Sequence, residues 1–151
     1  MRIEDEIRQK KFRNDYQKVV VNLIFTAGWL AGKQEHIFKP FGITTSQYNI
    51  LRILRGQGDK SLSGAEIKAR MLERNSDISR MLDRLAKKDL IVRSQCPNDK
   101  RATDVRIAPP GLKVLKAIDA TIDNAEKEII NLSQKESKLL SDLLDKARGS
   151  S

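Results

Sequence analysis

Asn75-Ser-Asp-Ile-Ser-Arg-Met-Leu-Asp-Arg-Leu-Ala-Lys-Lys-Asp-Leu90 runs straight into Ile91-Val-Arg93, and these residues decide the reading of the chain. Ile78, Met81, Leu82 and Leu85 recur at i, i+3, i+4 and i+7, which is one stripe of an amphipathic helix. The spacing predicts a helix beginning near Asn75, with Ser76, Ser79, Arg80, Asp83 and Arg84 off the stripe and facing outward. Just upstream, Ser63-Gly-Ala-Glu66 has the form of a capping box, the serine hydroxyl accepting from the third helical amide while the glutamate reaches back. It opens a shorter helix through Ile67 and Met71. Downstream, the β-prone runs Leu90-Ile-Val-Arg93 and Thr103-Asp-Val-Arg-Ile107 flank the turn Pro97-Asn-Asp-Lys100, predicting a hairpin with a long tip. Two short helices followed by a charged hairpin form a device suited to gripping a nucleic-acid duplex.

Around this centre the chain is helical. Phe12, Tyr16, Val19, Leu23, Ala27 and Leu30 keep helical spacing, and Val20, Ile24 and Ala31 widen the stripe until the helix is apolar nearly all round. Taken from about residue 5 to residue 38 it would be roughly 50 Å long. One small domain cannot surround such a rod, so contact with a partner is expected. Pro40 and Gly42 break the chain, and Thr44 or Thr45 caps a second helix through Ile50, Leu51 and Leu54. After Pro109-Pro-Gly111, Leu115, Ile118, Ile122, Ala125 and Ile129 mark a long fifth helix. Ser133-Gln-Lys-Glu136 is another capping box and opens a sixth helix through Leu139, Leu140, Leu143 and Leu144. Gly149-Ser-Ser151 is expected to fray.

The 151 residues suit one domain. The net charge of +9 is unevenly spread: residues 1–59 carry ten Lys/Arg against six Asp/Glu, residues 60–106 twelve against seven, and residues 107–151 seven of each. Basicity supports a polyanionic partner and sits away from the neutral C-terminal third. Cys96 is the only cysteine, so an intramolecular disulfide is excluded and a reducing cytoplasm is expected. Residues 1–11 are charged throughout, unlike a signal peptide, and the longest apolar run, residues 19–32, is too short to span a bilayer. One histidine and one cysteine far apart assemble neither a catalytic triad nor a zinc site, so no enzyme and no cofactor are expected.

The whole order is mostly α with a small β-hairpin wing: a winged helix-turn-helix with six helices. Residues 39–108 form the DNA-binding lobe, and residues 1–38 and 109–148 supply dimerisation helices from both termini. With this order the sequence resembles the MarR family of bacterial transcription regulators. The resemblance rests on Gly42-Ile-Thr-Thr-Ser-Gln-Tyr-Asn-Ile-Leu51, Ser79-Arg-Met-Leu-Asp-Arg-Leu-Ala-Lys-Lys88, the Asp99-x-Arg101 wing, Val105-Arg-Ile107 leading to Gly111, and Leu132-Ser-Gln-Lys-Glu136. Two positions depart from the family pattern. Asp89 stands where glycine is usual after the recognition helix, and Ala108-Pro-Pro110 replaces a threonine-led start to the fifth helix.

The resemblance implies a sequence-specific regulator binding a pseudo-palindromic operator in double-stranded DNA as a homodimer, a repressor released by a small effector. A helix of this type leads with its N-terminal residues in the major groove. Arg80 can fork onto guanine, and Asn75 either pairs with adenine or caps the helix. Arg84 fits a phosphate clamp or an internal salt bridge better than base reading, and Asp77 suits the positive helix N-terminus. Ser63, Ser76 and Ser79 offer hydroxyls to phosphate or serve as caps. By resemblance Arg101, held by Asp99 and flanked by Lys100, enters the minor groove, where negative potential is concentrated.

The resemblance also implies an aromatic or anionic effector between the dimer helices and the lobe, with Phe25, Trp29, His36 and Tyr48 as candidate lining. Gly28 and Gly32 lie on the same helix, either to leave room for a ligand or, the better account, to let another helix approach. Cys96 at the wing base is a thiol that could sense oxidants if Arg93 or Lys100 lowered its pKa. Oxidant sensors of this family, however, keep the reactive cysteine in the first helix, where this chain has none. The competing classes are a winged-helix protein-interaction module and a DNA-binding protein without a ligand.

Overall fold

The computed structural model describes residues 1–96 and 98–149, with backbone alone for Cys96 and residues 99–102. The elements run α1 (Ile3–Glu6), α2 (Asp15–Phe38), a 3-10 turn (Lys39–Phe41), α3 (Thr45–Arg55), β1 (Leu62–Ser63), α4 (Gly64–Arg70), α5 (Ile78–Lys87), β2 (Ile91–Cys96), β3 (Asp99–Ile107), α6 (Pro109–Ile130) and α7 (Gln134–Ala147). The mostly helical class and the winged arrangement agree with the sequence reading. Seven α-helices are described where six are expected, because the N-terminal rod is divided.

The division has a local cause. Arg8 adopts a left-handed backbone, φ 54°, which ends α1. The long helix then starts afresh where the Asn14 side chain accepts from the Gln17 amide at 2.9 Å. At 24 residues α2 is about 36 Å long rather than 50 Å. The short α1 lies back on it. Ile3 is buried, and Lys18 reaches Glu4 at 2.6 Å, which holds the Glu4 carboxyl below its usual range.

The turn after α2 uses Gly42 at φ 70°, a conformation with little penalty for glycine. Thr44, not Thr45, then caps α3 in a reciprocal box with Gln47. The buried set Ile50, Leu51 and Leu54 turns this helix into the centre of the lobe, meeting Ile67 of α4, Leu85 of α5 and Leu115 and Ile118 of α6 in one core.

Helix α5 ends in a Schellman turn: the Leu90 amide donates to the Leu85 carbonyl at 3.1 Å and the Asp89 amide to Ala86 at 3.0 Å. Asp89 itself takes φ 57°. The aspartate thus adopts the backbone that a glycine would adopt at less cost. From there the chain enters an antiparallel sheet of order β1-β3-β2. Ile91 pairs with Ile107 and Arg93 with Val105, while Leu62 of β1 pairs with Val105 from the other side. The strands are longer than the sequence runs suggested. The two-residue β1, absent from the sequence reading, places Ser63 in the sheet and at the cap of α4 together.

Pro109 and Pro110 occupy the first turn of α6, whose N-cap Ala108 supplies no side-chain bond. Instead the Ala108 amide donates to the Leu90 carbonyl at 3.0 Å. Gly111 sits against that same carbonyl so closely that a Cβ there would lie 2.3 Å from the Leu90 oxygen. Asn131, left-handed at φ 49°, ends α6, and Ser133 with Glu136 caps α7. Among the described residues no helix is long and apolar enough to cross a membrane.

Candidate nucleic-acid interface

Helices α4 and α5 and the sheet enclose a cleft of about 660 Å³ on one side of the lobe. Ser63, Lys68, Ser76, Asp77, Ser79, Arg93 and Thr103 supply its polar lining, and Ile78 and Leu82 part of its floor. Three of the nine residues proposed from sequence for DNA, namely Ser63, Ser76 and Ser79, are thereby brought together.

Two of these serines are also engaged locally. The Ser63 hydroxyl accepts from the Glu66 amide at 3.2 Å, and the Glu66 carboxylate accepts from the Ser63 amide at 2.8 Å, which lowers the Glu66 pKa. The Ser76 hydroxyl donates to the Glu73 carbonyl at 2.7 Å. Ser79 is exposed in the first turn of α5.

The start of α5 corrects one sequence expectation. Helical hydrogen bonding begins at Ile78, and the cap is Asp77, whose carboxylate accepts from the Arg80 amide at 3.2 Å. Asn75 stands in the exposed turn before it and does not cap the helix. Aspartate wins this place because its charge also suits the positive end of the helix dipole. Among the described residues the Arg80 side chain, largely exposed, keeps only a long 3.7 Å contact with Asp77. Arg84 is exposed, with no ion pair to a described residue. The side chains of Asp99, Lys100, Arg101 and Cys96 lie outside the described residues, so the wing contacts and the thiol expected from sequence have no structural account here.

The sequence reading missed Lys68 and Arg93. Arg93 donates to the Asp83 carboxylate at 2.7 Å, joining β2 to the outer face of α5. Outward placement of Asp83 was legible from helical spacing. Its partner was not, because the contact depends on how the strand crosses the helix. The turn between α4 and α5 is held from α3: Asn49 accepts from the Leu72 amide at 3.0 Å, and Ser46 meets Glu73 at 3.3 Å.

The four proposed effector residues do not converge. Phe25 and Trp29 line a recess of about 280 Å³ beneath α1 with Ile3, Glu6, Asn22 and Thr26, and Trp29 remains 41% exposed. Tyr48 is instead buried, stacked on Phe38 at 4.2 Å, with its hydroxyl accepting from Arg52 at 3.2 Å. His36 is exposed near the end of α2 and lines neither place. A more enclosed apolar cavity of about 190 Å³, which the sequence did not point to, lies between α2 and α6. Leu30, Ile37, Phe38, Ile122 and Ile129 line it, with Gln34 and Glu126 as its polar members. Nor do Gly28 and Gly32 serve close helix packing within the chain: a Cβ on either would meet nothing within 4 Å.

Residues 43–103 match the model of the MarR family. The lobe is similar to the MarR family over that span. The chain is 29% identical over 113 residues to the HTH-type transcriptional regulator MhqR of Bacillus subtilis, a match covering 73% of this chain and 74% of that protein. Its fold superposes on MarR from E. coli complexed with operator DNA, with TM-score 0.73 and 26% identity over 83% of this chain and 91% of that one. A MarR-like regulator from Bacillus cereus gives TM-score 0.79 at 21% identity, covering 89% and 96% of the two chains. Over these residues the chain is similar to DNA-binding transcription regulators of MarR type. The family is one of regulators rather than enzymes, which fits the absence of an assembled catalytic constellation in the sequence.

Proposed function

We propose that this MarR-type protein represses transcription by holding a pseudo-palindromic operator as a homodimer, with α5 of each copy in a major groove. The observation that carries the reading is the cleft beside α5, where Ser63, Lys68, Ser76 and Ser79 line one concave surface. Hydroxyls and the Lys68 ammonium in that arrangement suit a phosphate backbone, while the Asp77 carboxylate is engaged in capping α5. Arg80, exposed one turn into α5, is the base-reading residue, and Arg84 and Asn75 flank it. In the same reading Lys100 and Arg101 extend the grip into the minor groove, with Asp99 orienting the arginine.

Dimerisation follows from what α2 leaves uncovered. Tyr16, Val19, Val20, Leu23 and Ile24 are all exposed, Ile24 by 71%, and α7 contributes no buried residue at all. Such a row of large apolar side chains exceeds what a monomeric surface normally carries. A second copy joining through α2, α6 and α7 covers it and sets two α5 helices about one helical turn apart on DNA. A small aromatic or anionic effector that loosens this arrangement would enter beside Phe25 and Trp29 or between α2 and α6. The location in the cell that suits this function is the cytoplasm.

The deciding experiment measures binding to duplexes enriched by the protein from a random pool, as a function of salt. A base-reading dimer enriches an inverted repeat, loses affinity with log[salt] at about 0.9 per phosphate contacted, and loses discrimination in Arg80→Ala. Failure to enrich any sequence, or salt-insensitive binding, favours the protein-interaction module instead. A titration of phenolic acids followed by Trp29 fluorescence tests the effector: no response from any of them argues for a regulator without a ligand.

A further inference from the structure

We propose that Asp83 and Arg93 act as one charge-neutral strap that fixes the rotation of α5 against the wing and thereby sets sequence discrimination. The proposal rests on the DNA-reading assignment of α5 given above. Arg93 projects from β2 into the cleft that Ser76 and Ser79 line, and its guanidinium donates to Asp83 at 2.7 Å. Asp83 stands one turn beyond Ser79 and Arg80 on the outer face of α5.

Either charge alone would be a liability on this surface. An unpaired carboxylate repels every phosphate, and an unpaired guanidinium attracts every phosphate, whatever the base sequence. Paired, they cancel. Stability does not explain the pair, since its side chains are 36% and 56% exposed and pairs of that kind contribute little to folding. Its geometry explains it better. Leu82, Leu85 and Ile91 belong to the shared core, and these apolar contacts hold the inner face of α5. The directional Arg93–Asp83 pair adds a tie at its outer face, and that tie strengthens when bound DNA displaces the surrounding water.

The test is a double-mutant cycle with Asp83→Asn, Arg93→Met and the pair, measured on a duplex enriched by the wild-type protein and on a scrambled duplex. Each single substitution is expected to lower the ratio of the two affinities about tenfold, within the range found for residues sharing one ion pair. The double variant should lose no more than either single one. Asp83→Asn should also bind scrambled DNA more tightly, with a salt slope steeper by about 0.9, because freed Arg93 gains a phosphate. Thermal midpoints should stay near wild type, separating this role from a purely structural one.

Equal losses on both duplexes in Arg93→Met, with Asp83→Asn silent, make Arg93 an ordinary phosphate contact and overturn the strap. Additive losses in the double variant overturn it as well. A wild-type protein that enriches a sequence while both single variants keep its discrimination refutes the strap alone. A wild-type protein that enriches nothing refutes the DNA-reading assignment and the strap with it.

Discussion

Replacing Gly111 with alanine tests the joint between the wing and α6. The added Cβ would lie 2.3 Å from the Leu90 carbonyl oxygen and 2.9 Å from the Ile107 Cγ1. The first contact is about 1 Å inside ordinary van der Waals separation, and it is made to backbone, which cannot rotate away. Relief requires α6 to back off from the β2 end of the sheet. The Leu90 carbonyl also accepts from the Ala108 amide at 3.0 Å, so the same movement stretches that bond.

Overpacking of this kind costs about 1–3 kcal/mol, and a weakened hydrogen bond adds about 0.5–1.5 kcal/mol. Alanine returns up to about 1 kcal/mol through its better helix propensity. The net destabilisation is about 1–3 kcal/mol, equivalent to a fall in thermal midpoint of roughly 3–10 °C for a chain of this size. Circular dichroism at 222 nm, with both proteins at one concentration because association shifts the midpoint, measures it directly. A midpoint unchanged or raised would refute the close approach, because propensity alone then outweighs the contact.

Asp77→Ala removes the α5 cap and should cost about 1 kcal/mol, visible in denaturant unfolding, whereas Asn75→Ala should leave stability unchanged. Equal losses in the two would mean that the helix starts at Asn75 after all. The Arg55–Asp119 bridge at 2.6 Å links α3 to α6, and Arg55 holds the Asp119 carboxyl below its usual range. A depressed carboxylate stabilises the fold above its unfolded pKa of about 3.9 and loses that contribution as pH falls through the lower folded value. The advantage of wild type over Asp119→Asn should therefore be constant near neutrality, at most about 1 kcal/mol for so exposed a pair, and should fade below about pH 4. A difference that grows with acid would contradict the assignment. Arg101→Ala should weaken binding to an enriched duplex severalfold while leaving the thermal midpoint in place; unchanged affinity at moderate salt would remove Arg101 from the interface.

Much of the lobe was legible because its signals are local. The capping boxes at Ser63 and Ser133, the stripe from Ile78 to Leu85 and the breaks at Pro40 and Gly42 each depend on residues within a few positions of one another. The N-terminal rod was misjudged for the opposite reason: apolar spacing continues through Phe12, but the break depends on the left-handed Arg8 and on the competing cap at Asn14. The same limit separates Phe25 and Trp29 from Tyr48. All are aromatic or half-apolar and look alike in sequence, yet Tyr48 sits in a helix packed on Phe38 and is spent on the core.

By itself the amino-acid sequence determined the helical class, the winged arrangement, the capping boxes at Ser63 and Ser133 and the basic middle of the chain, since periodicity and capping act over three or four residues. Only the tertiary structure decided which outward residues share a surface. It set Arg93 against Asp83, Ser63 beside Ser76 and Ser79, and Gly111 against Leu90, each pairing spanning a crossing of elements whose angle no local pattern encodes. The physical reason is that such angles follow from the packing of α3, α5, α6 and the sheet around one core, a property of all their side-chain volumes at once.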